Sequence, residues 1–169
     1  VAAAVVSFAP PPHPAMETTI AEAIATAVTF LNTLMFVFLP FLIQIPEKLL
    51  HIYQKNPALY ELDSSWGGFE WINANDAERS IFSFIRKSKD GKNNLLFVCN
   101  FTPVERSDYR VGVPKHKTYK LILNSDDAEF GGSGKERPVN YKSVSKECDG
   151  RPYSFAYPLP GFGVAVFRY

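Results

Sequence analysis

Few side chains in this sequence could do chemistry, and their spacing decides which chemistry is open to them. Asp76 and Glu78 stand two residues apart in Asn73-Ala-Asn-Asp-Ala-Glu-Arg-Ser80. Two carboxylates acting as nucleophile and acid/base must face each other about 5 Å apart, in surroundings that push their pKa values apart. A polar segment ahead of a strand supplies no such surroundings, and a solvated turn is the simpler reading. His13, His51 and His116 lie in separate segments with no partner at ligand spacing, which argues against a metal site. Gly131-Gly-Ser-Gly134 lacks the lysine and the strand-turn-helix setting of a phosphate cradle, and reads as a flexible loop. Cys99 falls in the apolar run Leu95-Leu-Phe-Val-Cys-Asn100 and reads as a buried free thiol. With Cys148 as the only other cysteine there is no disulfide framework, so an oxidising compartment is not indicated. The aromatic residues Tyr60, Trp66, Phe69 and Trp71 cluster in a short stretch. Flat amphipathic rings can stack on the faces of flat, weakly polar ligands, although rings at a junction also fill cores.

The elements that must position these residues change character along the chain. Its 169 residues are 46% hydrophobic and 14% aromatic, enough for a domain with a core and too apolar for wholesale disorder. A net charge of +1 gives no global field to draw in nucleic acid or an anionic membrane. Residues 1–46 carry only Glu17 and Glu22, whereas 18 basic and 15 acidic residues fall from Glu47 onward. Pro10-Pro-Pro-His-Pro14 cannot hold regular structure. Residues 23–45 carry no charge and are long enough to cross a bilayer, but Asn32, Pro40 and several threonines weaken a membrane-spanning assignment. A secretory signal is rejected because there is no basic n-region. A buried helix, or sequence of no native function, is the plainer account of this stretch. Val1 in place of Met fits a fragment or an alternative start, and Met16 offers an internal one.

Pro46-Glu-Lys-Leu-Leu-His-Ile-Tyr-Gln-Lys55 has helical apolar spacing, with Pro46 suited to the first turn and Asn56-Pro57 ending the helix. Short apolar segments separated by turn residues follow, the pattern of an antiparallel β-sandwich. Ser80–Lys87 and Asn94–Phe101 form a hairpin across Asp90-Gly91, the second strand being apolar enough to sit centrally. Tyr109–Val113 is expected to pair with Thr118–Leu123 across Pro114–Lys117. Tyr153–Tyr157 and Gly163–Tyr169 are expected to close the sheet across Pro158–Phe162. The expected division is an atypical apolar segment at 1–46, a helix and its exit at 47–63, and an all-β domain at 64–169.

From about Leu49 to Tyr169 the chain resembles the end of bacterial-type 1,4-alpha-glucan branching enzymes, of the α-amylase clan. Tyr53-Gln-Lys-Asn-Pro-Ala-Leu-Tyr-Glu-Leu-Asp63 looks like the last barrel helix and its exit. Gly68-Phe-Glu-Trp-Ile-Asn-Ala-Asn-Asp-Ala-Glu-Arg-Ser80 looks like the start of the C-terminal β-domain. Val98-Cys-Asn-Phe-Thr-Pro103, Tyr109-Arg-Val-Gly-Val-Pro114, Leu123-Asn-Ser-Asp126, Phe130-Gly-Gly-Ser-Gly134 and Pro158-Leu-Pro-Gly-Phe-Gly163 follow in the family's order.

The resemblance implies a role in glycogen or starch synthesis, moving an α-1,4-glucan chain to a 6-hydroxyl with no cofactor or metal. It implies α-glucan as the ligand, a catalytic barrel as packing partner, and a cytoplasmic site, or a plastid in a photosynthetic eukaryote. The family's catalytic carboxylates belong to that barrel, which residues 1–45 do not resemble, so no catalytic residue carries over and the chain alone is expected to be inactive. Tyr60, Trp66, Phe69 and Trp71 become candidates for carbohydrate contact. The alternative is a glucan-binding accessory sandwich, membrane-tethered through residues 23–45.

Overall fold

Alternation of apolar and polar residues between Phe69 and Arg168 produces eight strands, every pair of them antiparallel. The structure is a computed structural model and describes residues 22, 25–29, 46–76 and 78–169. The chain divides into two compact units, Val1–Leu42 and Ile43–Tyr169. In the first unit, residues 22 and 25–29 are helical and exposed. There the Thr26 and Thr29 hydroxyls donate to the carbonyls of Glu22 and Ala25, four residues back. The span 23–45 considered for membrane insertion lies largely outside the described residues. Among the described residues no helix is long and apolar enough to cross a membrane.

The second unit holds two sheets. The larger has the order β1 (Phe69–Asp76), β2 (Ile81–Arg86), β3 (Leu95–Asn100), β8 (Val164–Arg168), β5 (Thr118–Asn124), β6 (Asn140–Lys142). The smaller pairs β4 (Arg106–Val113) with β7 (Tyr153–Leu159). The β2–β3 hairpin forms as its sequence indicates, in continuous register from Ile81↔Asn100 to Arg86↔Leu95. Asp90 fixes its turn by accepting from the Ser88 hydroxyl and the Lys92 amide. Strand β3 lies centrally, with Leu95, Leu96 and Val98 fully buried.

Between the sheets, Ile81, Ile85, Leu96, Val98, Ala165 and Phe167 meet Val111, Val113, Phe155, Tyr157 and Leu159 of the smaller sheet. Rings dominate this layer. Phe167 lies edge-on to both Phe155 and Tyr157 at 5.1 Å, and Tyr119 stacks on Phe155 at 5.2 Å. The large sheet is also apolar on its outer face, where Ala58, Leu95 and Val166 form a second buried cluster with Leu59, Phe97 and Ile122. Ala58 reaches it because the helix at 46–55 ends at Asn56 and the chain turns through a 3-10 segment, Pro57–Leu59.

Two expected pairings are corrected. Strand β4 pairs with β7, and β5 pairs with β8 and β6. The links Pro114–Lys117 and Pro160–Gly163 therefore carry the chain between sheets. Placing β4 beside β5 would line up Val111, Val113 and Tyr119 in one layer with nothing facing them. Crossing over sets these side chains against each other and closes the core. Side chains fix the first link where a hairpin would use a backbone ladder: the Tyr119 hydroxyl donates to Lys115 O at 2.9 Å and the Lys117 amide donates to Ser143 Oγ at 3.0 Å.

Candidate functional site

Successive residues of a strand point to opposite faces, so Ile81, Ser83 and Ile85 entering the core send Phe82 and Phe84 outward. Register then extends the aromatic face. Trp71 lies opposite Phe84, and Phe84 opposite Phe97, and directly opposed residues share a face. Phe84 and Phe97 are parallel within 5° at 4.8 Å, and Trp71 meets Phe84 edge-on at 5.7 Å. Phe69 packs 4.9 Å from Trp71 and 5.2 Å from Phe84. Phe82 continues the row to Phe101 at 5.7 Å. Trp71 and Phe101 remain 49% and 61% exposed, so the row presents ring surface to solvent.

Trp66 stands at the end of this row and is 92% exposed. It belongs to a 3-10 turn, Trp66–Gly68, that leads straight into β1. A Cβ on Gly68 would lie 2.4 Å from Leu62 O, so only glycine lets this turn approach the preceding loop. Trp66, Phe69, Asp63, Ser65 and Arg86 line an open cleft of about 360 Å³. The Arg86 guanidinium donates to Asp63 at 2.6 Å across it. Polar groups occupy the opposite face of β1, where Glu70 lies across from the core residue Ile85. Glu70 pairs with Lys87 at 2.5 Å and with Arg151 at 2.7 Å, and Arg151 also donates to Trp71 O at 2.8 Å. Burial pushes the Glu70 carboxyl up, but its bonds to Lys87 and the charge of Arg151 outweigh that and hold it below the usual range.

Of the four aromatic candidates, the structure brings Trp66, Phe69 and Trp71 to one surface. Tyr60 stands apart from the row, tilted against Tyr53 of the helix at 5.5 Å. Phe82, Phe84, Phe97 and Phe101 were not singled out from the sequence. The alternation in Ile81-Phe-Ser-Phe-Ile85 was the available signal, because it places two rings on the face opposite the core.

The acid pair does not assemble. Asp76 is the buried last residue of β1 rather than part of a solvated turn, and it accepts from Arg79 Nε at 2.9 Å. Glu78 is exposed in the turn beyond. Burial pushes both Cys99 and Cys148 up to about 11, with Asp149 adding to the effect at Cys148, so neither offers a thiolate near neutral pH. Among the described residues no group of His, Cys, Asp and Glu could hold a metal ion. The Gly131–Gly134 run is hydrogen-bonded to Asp126, whose carboxylate accepts from the Ser133 amide and hydroxyl and whose carbonyl accepts from the Gly134 amide. The surface presents exposed ring faces, with Asp63 and Arg86 as polar groups beside Trp66 and Phe69.

The family model described as the α-amylase C-terminal all-β domain matches residues 71–169. The 1,4-alpha-glucan branching enzyme of Butyrivibrio fibrisolvens is 53% identical over 120 residues, which are 71% of this chain and 19% of that protein. The corresponding enzyme of Francisella philomiragia is 54% identical over 122 residues, 72% of this chain and 19% of its own length. That of Bacillus caldolyticus is 43% identical over 122 residues, again 72% of this chain and 18% of its own length. The chain spans about a fifth of the length of the curated relatives it matches.

Proposed function

The chain belongs to the family of α-amylase C-terminal all-β domains, and from that premise we propose that it serves as the non-catalytic β-domain of a 1,4-alpha-glucan branching enzyme. The parent reaction cleaves an α-1,4 bond and transfers the glucan chain to a 6-hydroxyl. In this reading the domain contributes a surface that holds glucan near the chemistry and a face on which the catalytic barrel packs. The same reading assigns the chain to the cytoplasm, or to a plastid in a photosynthetic eukaryote.

The observation that carries it is the solvent-facing ring row of Phe69, Trp71 and Phe84, with Trp66 beside it. Glucose units offer flat C–H faces to such rings and hydroxyls to Asp63 and Arg86, which line the cleft with Trp66 and Phe69. No paired carboxylates accompany the rings, which fits holding rather than cleaving. Exposed Leu49, Leu50 and Tyr53 on the helix at 46–55 support a separate packing face for the barrel.

Affinity electrophoresis through gels containing glycogen tests the glucan surface. Retardation is expected for the chain, and Trp66→Ala with Trp71→Ala should remove most of it, as stacking contributes roughly 0.5–1.5 kcal/mol per aromatic contact beyond area burial. Free migration of the unsubstituted chain would sink this reading. A branching assay on the chain alone should show no loss of the amylose–iodine colour and no new α-1,6 linkages.

A further inference from the structure

Away from the ring row, on the same outer face of the large sheet, a cleft of about 370 Å³ opens between the helix at 46–55 and strands β5 and β8. Lys48, His51, Lys55 and Asn56 line it from one side, Ile122 and Arg168 from the other, and among the described residues no carboxylate lines it. Lys48 is paired with Glu129 at 2.6 Å. Lys55 and Arg168 have no ion-pair partner among the described residues. Lys120 sits directly opposite Arg168 in the β5–β8 register and also has no ion-pair partner among the described residues.

Like charges directly opposite on neighbouring strands are destabilising, as are like charges stacked along one helix face. A cation at a helix C-terminus is favoured by the helix dipole, which accounts for Lys55 but not for the two strand residues. Asn56 adds an independent sign. It is only 4% exposed and spends its Nδ2 on Ile52 O at 2.6 Å, while its Oδ1 meets no donor among the described residues. A buried acceptor left without a donor is costly, and a ligand hydroxyl would satisfy it.

We propose that this cleft binds a phosphate monoester of a polyol, with the phosphate between Lys55 and Arg168 and a hydroxyl donating to Asn56. A planar guanidinium suits two phosphate oxygens at once, and the ammonium supplies a second, compact charge. The site is distinct from the ring row and does not depend on glucan binding there.

Titration of the isotopically labelled full chain by two-dimensional NMR at low salt tests it, with glucose 6-phosphate, inorganic phosphate and glucose as probes. Glucose 6-phosphate is expected to shift the backbone signals of Ile52, Asn56, Ile122 and Arg168 and to bind more tightly than inorganic phosphate. Glucose alone should leave these signals in place. Arg168→Gln and Lys55→Gln should each weaken glucose 6-phosphate roughly tenfold, as expected for the loss of one charge-assisted hydrogen bond. Lys92→Gln, in the β2–β3 turn, should leave binding unchanged and the rest of the spectrum intact. Unshifted signals with both phosphates, or equal affinity in all three variants, would overturn the site. Equal affinity for inorganic phosphate and glucose 6-phosphate would overturn the role given to Asn56.

Discussion

Asp126 accepts from the Ser133 amide at 2.8 Å, from the Ser133 hydroxyl, and from the Arg137 guanidinium at 2.8 Å. The Arg137 side chain is only 4% exposed and donates further to Pro158 O and Lys135 O, so one carboxylate neutralises a buried guanidinium and ties its loop to β7. Burial pushes the Asp126 carboxyl up, but these bonds outweigh it and hold the group below its ordinary value. A depressed folded-state pKa contributes stability that is complete above the unfolded value of about 3.9 and is lost as pH falls through the folded value. Asp126→Asn is therefore expected to cost about 2–3 kcal/mol near pH 7, somewhat less than for a fully buried pair because the acid is partly exposed. Urea unfolding checks the sign: the gap between variant and parent should narrow steadily as the buffer is taken down towards pH ~2. Glu70, depressed by Lys87 and Arg151, adds to the parent's acid sensitivity and should do so equally in the variant. A gap that stays constant across that range would show that Asp126 acts by shape alone.

Two of the links between the sheets are tied together by one side chain. Asn100 is buried at the end of β3, and its Nδ2 donates to Val104 O and to Pro160 O, each at 2.9 Å. Its Oδ1 accepts from the Thr102 amide and hydroxyl. Asn100 thus joins the β3-to-β4 link to the β7-to-β8 link where both pass between sheets. The contact is tight, since a Cβ on Gly161 would lie 2.3 Å from Pro103 O. Asn100→Ala removes the donor from the buried Pro160 carbonyl and from the Val104 carbonyl and should cost roughly 2–4 kcal/mol, whereas Asn94→Ala in the β2–β3 loop should cost less. Thermal unfolding of the two variants would decide it, and equal losses would count against the special place of Asn100. These crossings also mark where the sequence stopped being legible. The β2–β3 hairpin could be read because Asp90-Gly91 encodes its turn and Leu95–Asn100 its central position. Strands β4 and β7 alternate just as plainly, but alternation records only that one face is buried. It does not say which neighbour completes the ladder, and that choice rests on distant partners such as Asn100 with Pro160. The three-residue β6 was missed because Asn140-Tyr-Lys142 is too short to show a period. Trp66, Phe69 and Trp71 could be picked out by residue type, while Phe84 and Phe97 join them only through cross-strand register.

Among the described residues of the unit Ile43–Tyr169, two groups of exposed apolar side chains stand apart from each other. One is the ring row with Trp66, on β1 to β3. The other is the helix at 46–55, where Leu49, Leu50 and Tyr53 are 48%, 57% and 48% exposed while Ile52 turns toward the sheet. A sheet packed on one face usually sends polar residues to the other, yet here the outer face carries its own buried cluster around Leu95 and Val166. That arrangement suits a sheet partly covered by its own helix and 3-10 turn, with the helix's far side left for a further partner. If the two surfaces serve different partners, they should respond separately to one hydrophobic dye. The chain should enhance dye fluorescence, and glycogen should displace only the fraction bound at the rings. Leu49→Gln, Leu50→Gln and Tyr53→Gln together should remove the remainder while shifting stability by no more than about 0.5 kcal/mol per site, the range for surface positions. A large drop in melting temperature in this triple variant would mean the helix face is already committed to the unit's own packing. Complete displacement of the dye by glycogen would mean the two surfaces act as one, and a separate barrel-facing side would have to be given up.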